Sequence, residues 1–222
     1  MRALLFGYKG KMGSIVLEKL EAEDIETIKI EKEDNVLDKN LNKIDFAIDF
    51  SDGKESLNHI LFCNNNNIPI LVCSTGQSEK HIKKIEKIKA KVPLVLCPNT
   101  SIGASLLLKF ILSLPNNVAD SAHIHEVHNK SKKDQPAGTA LLFEKALNKS
   151  NICCSISSER TNHHLVANKI TLYLNDEILE LKHTTIKKEV FADGAIEIAK
   201  NLKSLAPKVY INNIFREYYA EN

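Results

Sequence analysis

No apolar stretch of this chain approaches the ~20 residues of a membrane span, and its start, MRALLFG, reads as a strand rather than a signal sequence. A cytoplasmic protein is therefore expected. Charge of one sign is also lacking: 30 Lys and Arg stand against 28 Asp and Glu, a formal net charge of +2, and the lysines are spread along segments such as 80–91. That distribution excludes a basic field of the kind nucleic acid demands. Cysteine is sparse and unpatterned. Cys63, Cys73, Cys97, Cys153 and Cys154 are odd in number and lack C-x-x-C spacing, which argues against a disulfide framework and for reduced thiols. Histidines cluster at His123, His125 and His128, with His163 and His164 following, but no acidic or cysteine partner completes a tetrahedral set at recognisable spacing. No metal site is expected. What is present, 222 residues of 43% hydrophobic content, suffices for one sizeable core or two modest ones.

The N-terminal segment 2–6 is a short apolar run that reads as a buried strand, followed at once by Gly7-Tyr8-Lys9-Gly10-Lys11-Met12-Gly13 and a helical pattern through Leu20. Glycines at 7, 10 and 13 allow a tight turn, close approach of backbone to a pyrophosphate, and packing of helix on strand. Lys9, Lys11 and Met12 belong to the same candidate dinucleotide loop. Eighteen residues past Gly13, after the candidate strand 27–30, stands Glu31, where an acid hydrogen-bonds an adenosine ribose; Lys32 follows, a cation able to accept a 2′-phosphate. Both NADH and NADPH stay open. Three further apolar runs, 45–51, 68–73 and 92–97, alternate with helix-length segments at 53–66 and 78–90. This alternation argues for a parallel sheet with its ligand crevice at the carboxyl ends of the strands.

The stretch Glu126 to Ala140, EVHNKSKKDQPAGTA, carries the most chemistry. Before it, 121–127 alternates like a strand; after it, 139–147 reads as a helix opening on a glycine. Within twelve residues stand a proton donor, His128, a cation, Lys132, and the turn Pro136-Ala137-Gly138-Thr139, where a helix N-terminus at Gly138-Thr139 offers backbone N–H groups and a hydroxyl to a carboxylate. Singly, each feature is more often structural: a strand histidine, a solvated lysine pair, an ordinary turn. Their spacing is what points to a site.

That spacing resembles the E-x-H-H-x-x-K-x-D-x-P-S-G-T-A signature of the 4-hydroxy-tetrahydrodipicolinate reductase family, nicotinamide-dependent enzymes of the diaminopimelate route to lysine. The resemblance covers nearly the whole chain. It implies a Rossmann-like α/β dinucleotide-binding domain from residues 1–100 and 189–222, and a smaller α+β domain, 101–188, with an open mixed sheet whose strands pair between subunits of a homotetramer. The strand ends Phe50-Ser51, Ser74-Thr75-Gly76 and Pro98-Asn99-Thr100 resemble the family's D-F-T, G-T-T-G and A-N-F-S segments, which line the nicotinamide and its ribose. Thr100 stands where the family has an aromatic. Asn129 stands for a further histidine and is assigned to substrate with Gly138 and Thr139; Ala137 replaces a serine, Lys188 replaces an arginine, and Arg160 aligns with a family arginine.

The activity implied is NAD(P)H-dependent reduction of a small cyclic dicarboxylate after loss of water, with His128 as proton donor and Lys132 stabilising charge and anchoring a carboxylate. Two other readings share the glycine loop: a related aspartate or diaminopimelate dehydrogenase, and a dinucleotide-binding protein whose site has decayed.

Overall fold

A computed structural model describes residues 1–31, 41–163 and 165–211. The chain forms two compact units, Met1–Thr100 together with the chain from Phe191 on, and Ser101–Val190.

In the first unit six strands run β1 (Arg2–Phe6), β2 (Glu26–Ile30), β3 (Phe46–Asp49), β4 (Ile70–Val72), β5 (Leu94–Leu96) and β10 (Val209–Ile211). They lie in the order β10-β5-β4-β3-β1-β2, and every pairing is parallel. Parallel strands covered on both faces read as continuous apolar runs, and β3, β4 and β5 are buried throughout. Strand side chains alternate between faces, so each run feeds two cores. Ala3, Leu5, Phe46, Ile48, Leu71 and Val95 enter one core; Leu4, Phe6, Ala47, Ile70, Val72, Leu94 and Leu96 enter the other. Helix α1 (Gly13–Ala22) covers the first face with Val16 and Leu20, joined by α6 (Glu189–Lys200) through Ala195, Ile196 and Ala199. The second face receives α2 (Ser56–Asn65) through Ile60 and Cys63, and α3 (Glu79–Glu86) through Ile85. This is the doubly wound α/β architecture expected from the alternation. The helix expected over 78–90 is shorter, ending at Glu86, and β10 was not foreseen.

The second unit is α4 (Ile102–Leu112), β6 (Ser121–Asn129), α5 (Gly138–Lys149), β7 (Cys154–Thr161), β8 (Val166–Leu174) and β9 (Glu177–Thr185). Its sheet has the order β7-β6-β8-β9, with β6 parallel to β7 and antiparallel to β8, and β8 antiparallel to β9: an open mixed sheet, as expected. Ile124, Ile170 and Leu172 pack with Leu107, Leu108 and Ile111 of α4 and Phe143, Ala146 and Leu147 of α5. Because β6 alternates, Glu126 and His128 share the face of Ile124, while His123 and His125 lie on the other. There the two histidines bond the β7 hydroxyls: His123 reaches Ser155 and Ser157 at 2.8 Å each, and His125 reaches Ser157 at 2.9 Å.

The glycine turn tightens the first unit. A Cβ on Gly13 would stand 2.0 Å from the Gly7 carbonyl oxygen, and Gly7 itself has φ +75 with its own Cβ position 2.7 Å from Ser51 N. Gly13→Ala should therefore cost roughly 1–3 kcal/mol or more through overpacking, seen as a lower midpoint in thermal unfolding followed by circular dichroism. An unchanged midpoint would contradict the packing of α1 on the turn.

Candidate functional site

Parallel strands bring all their carboxyl ends to one edge of the sheet, so the candidate dinucleotide residues gather there by topology alone. From β5 outward lie Pro98-Asn99-Thr100, then Ser74-Thr75-Gly76 after β4, Phe50-Ser51 after β3, the glycine turn after β1 and Glu31 after β2. The chain winds outward from β1 to β2 and returns to β3 on the other side, which makes β1/β3 the switch point where open sheets bind ligands. The turn there is bare. Lys9, Gly10 and Lys11 are exposed, and no side chain caps α1, whose N-cap is Met12. Gly7 and Gly13 let the turn close against Ser51 and the start of α1, where a Cβ would meet backbone at 2.7 and 2.0 Å, and with the helix N-terminus bare of side-chain caps the turn fits a dinucleotide pyrophosphate.

Two details qualify the arrangement. The Glu31 carboxylate accepts from the Lys9 backbone N–H at 2.8 Å, which ties the end of β2 to the glycine turn. Thr100, by contrast, is turned into its own unit: its side chain is buried and its hydroxyl donates to the Phe191 carbonyl at 2.5 Å. A Cβ on Gly194 would meet the Thr100 carbonyl oxygen at 1.9 Å. Lys32 and His164 lie outside the described residues.

At the switch point stands a pair the sequence reading missed. The Asp49 side chain is wholly buried; its Oδ1 accepts from the Ser51 N–H at 2.7 Å and the Ser51 hydroxyl at 2.6 Å, and its Oδ2 meets His59 Nδ1 at 2.8 Å. His59 stacks on Phe6, ring centroids 4.0 Å apart. Thus a histidine on α2 and an acid on β3 jointly fix the Ser51 turn. The Asp-Phe-Ser segment was visible in the sequence; His59, ten positions on, carried no local signal.

In the second unit the signature residues come together on the β6–loop–α5 segment. His128 is on β6 with its side chain 12% exposed. Its buried Nε2 has no hydrogen-bond partner among the described residues and stands 3.5 Å from Glu126 Oε2. Burial pushes the His128 pKa down; the Glu126 carboxylate opposes this, Lys132 and Arg160 add to it, and Asp134 opposes it, for a net lowering. Lys132 Nζ pairs with Asp134 at 3.0 Å. Burial pulls the Asp134 carboxyl up, but its hydrogen bond from Lys132 and that lysine's charge help hold it below the ordinary value. Any carboxylate ligand drawn to Lys132 competes with Asp134. Helix α5 opens at Gly138 with no side-chain cap, and a Cβ on Gly138 would meet nothing within 4 Å. Its first N–H groups and open approach suit an anion. Asn129 shapes the turn, its Oδ1 accepting from Ser131 N–H at 3.0 Å and its Nδ2 donating to the His163 carbonyl at 3.1 Å.

Behind these residues lie Glu126 and Arg160. Glu126 is wholly buried; Oε1 takes a bond from Arg160 at 3.1 Å and Oε2 one from the Ala137 N–H at 2.9 Å. Arg160 also donates to the carbonyls of Asp134 at 2.6 Å, Lys132 at 3.3 Å and Glu159 at 3.0 Å. Glu126 lay inside the conspicuous stretch without an assigned role, and Arg160 is brought to it by β6–β7 pairing.

The Asp49–His59 pair generates a prediction. His59→Ala removes a bond to a buried carboxylate and should cost about 2 kcal/mol, whereas Asp49→Asn combined with His59→Ala should cost less than the sum of the two single changes. Urea unfolding of the four proteins measures this coupling; strict additivity would deny the pair.

Comparison with known proteins matches both units. The model for the N-terminus of dihydrodipicolinate reductase matches residues 1–100 and that for its C-terminus residues 103–213. The 4-hydroxy-tetrahydrodipicolinate reductase of Thermosipho africanus (strain TCF52B) is 31% identical over 202 residues, 90% of each chain; that of Brachyspira hyodysenteriae (strain ATCC 49526 / WA1) is 31% identical over 229 residues, 95% of this chain and 97% of the other. Among solved structures, a dipicolinate-bound dihydrodipicolinate reductase from Paenisporosarcina sp. TG-14 shares the fold with TM-score 0.75 at 17% identity, over 96% of this chain and 98% of that one. An aspartate dehydrogenase from Thermotoga maritima shares it more loosely, with TM-score 0.56 at 10% identity over 93% and 98%. Both units and nearly the full length of the curated relatives are thus accounted for, and the chain belongs to the dihydrodipicolinate reductase family.

Proposed function

We propose that this protein reduces 4-hydroxy-tetrahydrodipicolinate to tetrahydrodipicolinate, with loss of water, in diaminopimelate and lysine biosynthesis in the cytoplasm. The observation that carries the reading is the convergence on one strand, loop and helix of a partly buried histidine, a lysine and a helix N-terminus without a side-chain cap, within a chain of this family. The aspartate dehydrogenase alternative rests on fold likeness alone. The decayed-site alternative is not favoured, since His128, Lys132, Gly138 and Thr139 are all present.

Bound at the parallel-sheet edge, the nicotinamide supplies a hydride. Two carboxylates on the substrate need two anchors: Lys132 serves one, and the backbone N–H groups at Gly138 and Thr139 serve the other. Hydride addition to the dehydrated, unsaturated imine leaves negative charge on the ring-nitrogen side. A proton from His128 neutralises it, held at Nδ1 because Nε2 faces Glu126. Because burial lowers the His128 pKa, the proton-donating form is lost at a lower pH than for an ordinary histidine, and turnover falls as pH rises through that value. Glu31 favours NADH through the ribose hydroxyls, and Lys32 relieves the penalty for a 2′-phosphate, so both coenzymes are used.

The test is spectrophotometric: oxidation of NADH and NADPH with enzymatically generated substrate. Wild type should oxidise both only when substrate is present; His128→Gln should lower kcat by ~10²–10⁴-fold with little change in KM, and Glu31→Ala should weaken NADH binding. Oxidation at wild-type rate by His128→Gln would remove its acid role, and substrate-independent behaviour of the wild type would remove the activity.

A homotetramer completes the reading. The edge strand β9 leaves Ile178 and Leu179 exposed, at 65% and 38%, and unpaired edges of this kind invite pairing with another chain. Light scattering at micromolar concentration should give four times the 24.9 kDa chain mass; a monomer would refute the assembly.

A further inference from the structure

The geometry points to Glu126 as the positioning residue of this site, the group that sets His128, Lys132 and the α5 anion cradle in register. The inference rests on the functional reading above and names a residue that reading leaves without a role.

A carboxylate with no solvent contact needs partners on each oxygen, and removal of one partner exposes the cost of the buried charge. The partners of Glu126 are parts of the site. On Oε2 it holds the N–H of Ala137, the residue immediately before the open Gly138. On Oε1 it holds Arg160, whose guanidinium accepts no bond and reaches the carbonyls of Lys132 and Asp134. The loop that carries Lys132 is thereby gripped through two of its carbonyls and at its junction with α5. The third neighbour is His128, whose buried Nε2 lies 3.5 Å from Oε2 and has no other partner among the described residues. The imidazolium and the neutral ring protonated at Nε2 both present an N–H there, so this contact orients the ring and leaves Nδ1 for the substrate, while the charge of the carboxylate favours the protonated form.

The groups around His128 divide by sign. Lys132 from the loop and Arg160 from β7 oppose its protonation, as does burial; Glu126 from its own strand and Asp134 from the loop support it. Of the two acids, Asp134 is exposed and already engaged by Lys132, while Glu126 is wholly shielded from water. Shielding strengthens its effect. A merely structural ion pair between Glu126 and Arg160 would hold the fold equally well without influencing which proton His128 carries.

Three variants separate these roles: Glu126→Gln, Glu126→Asp, and Glu126→Gln combined with Arg160→Met, which removes both charges together and so avoids a lone buried guanidinium. Each is checked for folding by circular dichroism, titrated by NMR of the His128 imidazole, assigned by its loss in His128→Gln, and assayed across pH. In Glu126→Gln the His128 titration should move to lower pH, and the alkaline fall in kcat should move with it. At the pH optimum kcat should drop roughly 10–100-fold, the effect of removing a carboxylate that orients a metal-bound histidine, while coenzyme affinity holds. Glu126→Asp should restore part of both, because it returns the charge with a shorter reach. The double variant should fold and show a smaller displacement than Glu126→Gln, because Arg160 opposes the protonation that Glu126 supports. An unmoved His128 titration in folded Glu126→Gln overturns the proposal, as does wild-type kcat in the double variant. The titration needs no substrate, so it judges Glu126 even where the wild type fails to reduce the proposed substrate.

Discussion

A carboxylate taken fully out of water must be matched where it stands, and each unit of this protein is organised at its chemical end by one such group. Asp49 closes β3 and Glu126 lies near the end of β6, both with wholly buried side chains. Each spends its oxygens on the backbone of the segment that follows and on a basic side chain from another element. Asp49 holds the Ser51 turn and meets His59 from α2; Glu126 holds Ala137 and meets Arg160 from β7. Turns that would otherwise sample several conformations are thereby held in one. The cost of leaving either charge unmatched, several kcal/mol, is what enforces the geometry.

Rigid support suits the chemistry. In the proposed role His128 has to keep its proton beside the cations that would anchor carboxylates, and it sits among burial, Lys132 and Arg160, all of which drive the proton off. A buried carboxylate on the same strand face counters them at close range. Alternation along β6 provides this without a special loop, because positions 126 and 128 necessarily share a face. Lys132, tethered to Asp134, is likewise a cation in a defined place rather than a free one.

Much of the fold was legible in the residues. The apolar runs of the first half, each buried on two faces, read as parallel strands, and the glycine spacing marked the turn at the switch point. What escaped was the polar edge. β7, with Ser155, Ser157, Ser158, Glu159 and Arg160, has too little apolar character to announce a strand; its pairing is supplied by β6, opposite which it lies residue for residue. β10 is three residues long and exists as a strand because β5 offers an edge. The helix boundaries near residue 90 also shortened, where Lys87 to Lys91 contribute no continuous buried face.

By itself, the sequence determined the class of each apolar element, the place of the glycine turn, and the clustering of His128, Lys132, Gly138 and Thr139, because periodicity and turn chemistry are local properties of the chain. Tertiary structure alone decided the partners of the buried charges: His59 for Asp49 at ten residues' remove, and Arg160 for Glu126 at 34. It also decided that Thr100 turns inward to the Phe191 carbonyl, 91 residues away. The physical reason is that desolvation belongs to the folded assembly of elements. A carboxylate written in a sequence carries no sign of whether water will reach it, and only when strands and helices close around it does the residue that must answer its charge become determined.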